Sequence, residues 1–128
     1  MGQSLQNQAL DPEGILMGLN DRQREAARID RGPVLVIAGP GSGKTRALTH
    51  RIAHLIARGV PPVSILAVTF TNKAADEMRD RVRVLLGGAR ERGELPLIGT
   101  FHSFSATILR HEAGNIGYTQ NFSIYDED

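Results

Sequence analysis

The sequence has no cysteine, so neither a disulfide nor a thiolate site can form. No apolar run approaches the ~20 residues needed to cross a bilayer, and the start lacks the pattern of a secretory signal. Gly2 is present, but the sixth residue is neither Ser nor Thr, which argues against myristoylation. Internal repeats and low-complexity tracts are lacking too. Charge of one sign is not in excess either. The 15 Lys and Arg against 14 Asp and Glu leave +1, so nucleic-acid binding has to be argued from local chemistry. These absences point to the cytoplasm and to no membrane association. The 128 residues, 41% of them apolar, suffice to bury the core of one small domain.

What is present begins with VLVIAGPGSGKT at residues 34–45. An apolar run reading as a buried strand breaks into a glycine-rich turn, and a helix begins near Gly43. Such a turn aims backbone N–H groups at one point, where the positive end of the helix dipole and the Lys44 ammonium also converge. Ala38, Gly39, Pro40, Gly41, Ser42, Gly43, Lys44 and Thr45 are therefore candidates to cradle a phosphate chain, with the Thr45 hydroxyl placed to hold Mg²⁺. The strict form of this motif has glycine where Ala38 stands, a mild departure because a methyl group at the strand exit need not meet the phosphates.

Residues 1–18 have little periodicity and read as a flexible leader. Asn20 or Asp21 can then cap a short helix that ends at Arg31-Gly32-Pro33. A strand at 34–38 and a helix at 43–58 follow. A second apolar run at 65–70 ends in Thr71-Asn72, where Asn72 can cap the next helix. That helix carries Ala75, Met78, Val82, Leu85 and Leu86 on one stripe, with Glu77 and Arg81 spaced for an ion pair. Strands are expected at 97–100 and 122–125, and a helix at 103–111. Strands separated by such helices imply an α/β fold, a parallel sheet with helices on both faces. Ligands of open parallel sheets bind beyond the carboxyl ends of the strands. The phosphate loop, the Thr69-to-Lys73 segment and the Thr100-to-Ser103 segment are thus expected to share one rim.

Four segments in order, LNDRQREAA, AGPGSGKTRAL, AVTFTNKAADEMRDRV and GTFHSFSATILR, resemble the first RecA-like domain of the UvrD/PcrA/Rep-type superfamily 1 DNA helicases. The resemblance implies an incomplete P-loop (RecA-like) domain over residues 19–128, truncated before the DExx motif. It implies ATP- and Mg²⁺-dependent 3′ to 5′ movement on single-stranded DNA and at single-strand/duplex junctions, in repair or recombination. Partners would be the remaining helicase domains of a parent chain, and the fragment alone would hydrolyse little and unwind nothing. Carried over by position, Gln23 matches the adenine-reading glutamine, Lys44 the residue on the β- and γ-phosphates, Thr45 the Mg²⁺ ligand, and Arg46 the arginine against the base. Thr69, Phe70, Thr71, Asn72 and Lys73 match one segment touching single-stranded DNA, and Thr100, His102 and Ser103 match the next.

Alternatives are a stand-alone P-loop regulator without unwinding activity, or the helicase part of a RecB/AddA-like helicase-nuclease. A small-molecule kinase would need an acceptor pocket and lid arginines, which are not apparent. Asp126-Glu127 superficially has the form of a strand ending in Asp-Glu. His50 and His54 have the spacing of a metal pair but lack the Glu of the zinc protease motif, and they read as a solvated helix face. The arginines at 79, 81 and 83, interleaved with Asp76, Glu77 and Asp80, read as a mixed-charge surface.

Overall fold

The computed structural model describes residues 10–33, 43–88 and 95–123. The expected strand at 34–38, the loop from Ala38 to Ser42 and the Asp126-Glu127 pair lie outside the described residues. Helix α1 is Pro12–Leu16, α2 is Asp21–Arg28 and α3 is Lys44–Ala57. Strand β1 is Leu66–Thr69, α4 is Asn72–Leu85, β2 is Leu97–Thr100 and α5 is Phe101–Glu112.

Local chemistry accounts for the helix starts. Asn20 caps α2 in a reciprocal box with Gln23: the Asn20 side chain accepts from Gln23 N–H at 2.9 Å, and Gln23 Oε1 accepts from Asn20 N–H at 3.1 Å. Thr71, not Asn72, caps α4, accepting from Ala74 N–H at 3.1 Å. The hydroxyl two atoms from the backbone has the reach, while Asn72 is already the first helical residue. Thr100 caps α5, so that helix starts two residues before the expected Ser103.

Strands β1 and β2 pair in parallel, with Leu66 opposite Leu97 and Thr69 opposite Thr100. Helix α4 is the crossover between them, as parallel pairing requires. Ala67 and Ile98 face inward and join Ile52, Ala53 and Ile56 of α3 with Ala75, Met78 and Val82 of α4 and Leu86 directly after it in one core. Val82 is fully buried and Met78 nearly so; each contributes roughly 1.5–3 kcal/mol by leaving water. The expected stripe is thus the packed face of α4. Its ion pairs are Arg79–Asp76 at 2.7 Å and Arg83–Asp80 at 3.0 Å rather than Glu77 with Arg81. Phe122 and Ser123 are not in a strand; the Arg110 guanidinium lies 5.2 Å from the centre of the Phe122 ring.

Within the span expected to be a flexible leader, α1 forms with Asp11 as its cap, and Leu16 is buried with Leu19 and Ala27. Arginines stitch this amino-terminal layer together. Arg24 donates to the carbonyls of Leu16 at 3.4 Å and Leu19 at 3.0 Å, and Arg46 to that of Gly18 at 2.6 Å. Arg51 donates to the carbonyls of Ala26, at 3.0 Å, and Ile29. Each satisfies carbonyls where a helix or turn ends.

The same layer overturns the reading of His50 and His54 as a solvated face. His54 is 1% exposed, and its Nδ1 lies 3.1 Å from the Pro12 carbonyl. A carbonyl only accepts, so Nδ1 carries the proton. His50 is also buried, with Nδ1 2.7 Å from the Arg46 carbonyl. Helix α1 packs on α3 and covers the side that periodicity alone leaves to solvent. Among the described residues no group of His, Asp and Glu is arranged to hold a metal ion.

Candidate functional site

Because β1 and β2 are parallel and in register, both end on the same edge, and α4 and α5 both begin there. The segments Thr69 to Lys73 and Thr100 to Ser103 are therefore brought together as expected. Phe70, directly after β1, is 89% exposed. Asn72 and Lys73 are exposed on the first turn of α4, and His102 on the first turn of α5.

The hydroxyls at this edge are mostly engaged in structure. Thr69 Oγ1 donates to the Thr71 carbonyl at 3.0 Å and the Gly99 carbonyl at 3.4 Å. Thr100 is buried, and its Oγ1 accepts from Ser103 N–H at 3.0 Å while Thr100 N–H donates to Ser103 Oγ at 2.9 Å. These side chains shape the edge. Sequence reasoning missed one residue of it: Phe101, 51% exposed, whose ring centre is 5.3 Å from that of Phe70. The signal was available, since Thr-Phe occurs at the end of both strands.

The start of α3 is a second cluster. Gly43 is its cap with φ +81°, and among the described residues no side-chain hydrogen bond caps the start of this 14-residue helix. Lys44, Thr45 and Arg46 are exposed on that turn. Gln23 Nε2 donates to the Gly43 carbonyl at 3.3 Å, so the half-buried carboxamide lies against the helix start rather than free on the surface. A groove of about 420 Å³ lies between Arg46, Thr49 and His50 of α3 and Asp80, Arg81, Val84 and Leu85 of α4. The start of α3 thus stands beside the far half of α4. Asp80 is eight residues past Asn72, roughly 12 Å along the helix. The expected common rim joins two of its three members; the third, the phosphate loop, lies outside the described residues up to Ser42.

Charge distinguishes these helix starts from the others. The first turns of α1 and α2 carry Glu13 and Asp21, the sign that a helix dipole favours. Those of α3, α4 and α5 carry no acid. Lys44 and Arg46 stand on the first turn of α3 and Lys73 on that of α4, while α5 has the histidine His102 there. Cations at the positive end of a dipole cost stability unless an anion offsets them. Burial holds the His50 pKa below its ordinary 6.5; its hydrogen bond to the Arg46 carbonyl opposes this, and the Arg46 charge adds to it.

Residues 19–128 match the family model of the UvrD/REP helicase N-terminal domain. The chain belongs to that family. It is 49% identical over 113 residues to the ATP-dependent DNA helicase PcrA of Staphylococcus aureus and 50% identical over the same length to that of Staphylococcus epidermidis. The match covers 88% of this chain and 15% of each relative. This UvrD/REP-family chain is an α/β arrangement with a two-stranded parallel sheet among the described residues. No described helix is long and apolar enough to cross a membrane.

Proposed function

We propose that the chain is the N-terminal nucleotide-binding region of a cytoplasmic ATP-dependent DNA helicase that moves 3′ to 5′ along single-stranded DNA. The observation that carries this reading is the lack of acid at the starts of α3, α4 and α5, with Lys44 and Arg46 on the first and Lys73 on the second. Two kinds of anion account for it. A nucleotide triphosphate suits α3, whose first turn carries the Lys44 ammonium and follows directly on the glycine-rich stretch 38–43 of the sequence. The DNA backbone suits α4 and α5, where Lys73 and His102 flank exposed aromatic rings.

The chemistry at α3 fits ATP and Mg²⁺. ATP with Mg²⁺, when bound, supplies the phosphoanhydride bond whose cleavage drives the cycle. Lys44 would neutralise charge on the β- and γ-phosphates, and the Thr45 hydroxyl would hold the metal ion. Gln23 would offer its remaining amide hydrogen and oxygen lone pair to the adenine edge, and Arg46, which donates to the Gly18 carbonyl here, would have to leave it to lie against the base. Gln23 also bonds the Gly43 carbonyl, so the residue assigned to the base touches the cap of α3. At the sheet edge, Phe70 stacks on a base while Asn72, Lys73 and His102 meet phosphates. Thr69, Thr71, Thr100 and Ser103 hold the two helix starts that present them.

Hydrolysis also requires carboxylates that order Mg²⁺ and water, and arginines on the γ-phosphate. The resemblance assigns those to the DExx motif and a second RecA-like domain, so unwinding is assigned to the whole helicase. Titration of the chain with an ATP analogue and with oligo-dT tests the reading. Lys44→Ala is expected to abolish nucleotide binding and spare DNA binding, and Phe70→Ala to do the converse. The opposite pairing would refute the assignment.

A further inference from the structure

The Thr69–Thr100 register sets the next residue of each segment, Phe70 and Phe101, side by side. Their rings are 5.3 Å apart between centres and inclined by 44°, within the geometry in which aromatic pairs attract. Both remain largely in water, at 89% and 51% exposure. Their anchorage differs. Phe101 is the first residue of α5, fixed by the reciprocal cap of Thr100 and Ser103. Phe70 lies in the bend between β1 and the Thr71 cap of α4.

We propose that Phe101 is a positioning residue for single-strand binding: it fixes the Phe70 ring so that the outer face of that ring stacks on one nucleobase. The inference rests on the reading of this edge as the single-strand site and adds to it a residue and a stoichiometry. A base between the rings would need centres roughly 7 Å apart, twice the base-stacking repeat. At 5.3 Å that gap is closed, so the base docks from outside, on Phe70. The neighbouring starts of α4 and α5, with Lys73 and His102, suit the phosphates on either side.

The test compares binding of the 128-residue chain to oligo-dT and to an abasic oligomer of equal length, which keeps the phosphates and lacks the bases. The ratio of the two affinities reads stacking alone. Phe70→Leu is expected to bring the ratio close to unity. Phe101→Leu is expected to lower it about three- to tenfold while leaving abasic binding unchanged. Phe101→Tyr restores it. A Phe101→Leu ratio equal to wild type, with Phe70→Leu still impaired, overturns the inference and leaves the single-strand reading standing. Equal loss of both oligomers in Phe101→Leu, unrescued by tyrosine, marks a folding role and overturns it as well. A wild-type chain that binds neither oligomer defeats the single-strand reading and this inference together.

Discussion

A methyl group at position 43 would run into the Gln23 carboxamide, and the backbone there has φ +81°, where side chains other than glycine are strained. Gly43→Ala is therefore expected to cost about 1–3 kcal/mol of stability. Gln23→Ala in the same chain should recover only the part due to collision, because the backbone strain remains. Thermal denaturation of the two single variants and the double variant separates the terms; full recovery in the double variant would mean that φ carries no cost. The glycine was legible from the motif. The second reason for it was not, because Gln23 comes from a helix twenty positions earlier.

Among the elements, α1 is the least expected. Its five residues are too few to hold helical structure alone, so packing on α3 sustains it. The link is the His54 Nδ1–H to the Pro12 carbonyl, within a side chain almost wholly buried. His54→Ala should lower stability by about 2–3 kcal/mol and expose residues 10–18 to proteolysis before the rest of the chain. Uniform protection of that segment in the variant would show that α1 is held otherwise. Helices α3 and α4 were readable in advance because their apolar periods are long and their ends carry glycine or a hydroxyl cap. A one-turn helix has no period to read, and its burial depends on a partner distant in sequence.

For the whole molecule, the buried histidine at 50 links stability to pH. The folded chain binds the His50 proton less readily than the unfolded chain, chiefly because burial disfavours the charged ring, with Arg46 also nearby and Asp80 and Arg81 across the groove. Below an ordinary histidine value of 6.5 the unfolded state therefore binds more protons. This contribution is complete above that value and drains away as pH falls through the lowered folded one. Urea midpoints at about pH 7.5 and about pH 5 should diverge more for wild type than for His50→Gln. An equal divergence would assign the acid sensitivity to other groups.

The amino-acid sequence by itself determined the chemistry offered at three helix starts: Gly43 and Lys44 at α3, Phe70 to Lys73 at α4, and Thr100 to Ser103 at α5. Caps, turns and dipoles act over a few residues, so neighbours in sequence suffice to read them. Tertiary structure alone decided which of those groups are free. It committed the Thr69 hydroxyl to the Gly99 carbonyl, turned His50 and His54 inward, set Arg46 on the Gly18 carbonyl, and stood Phe101 beside Phe70. Those outcomes depend on burial and on partners far apart in the chain, which no local pattern encodes.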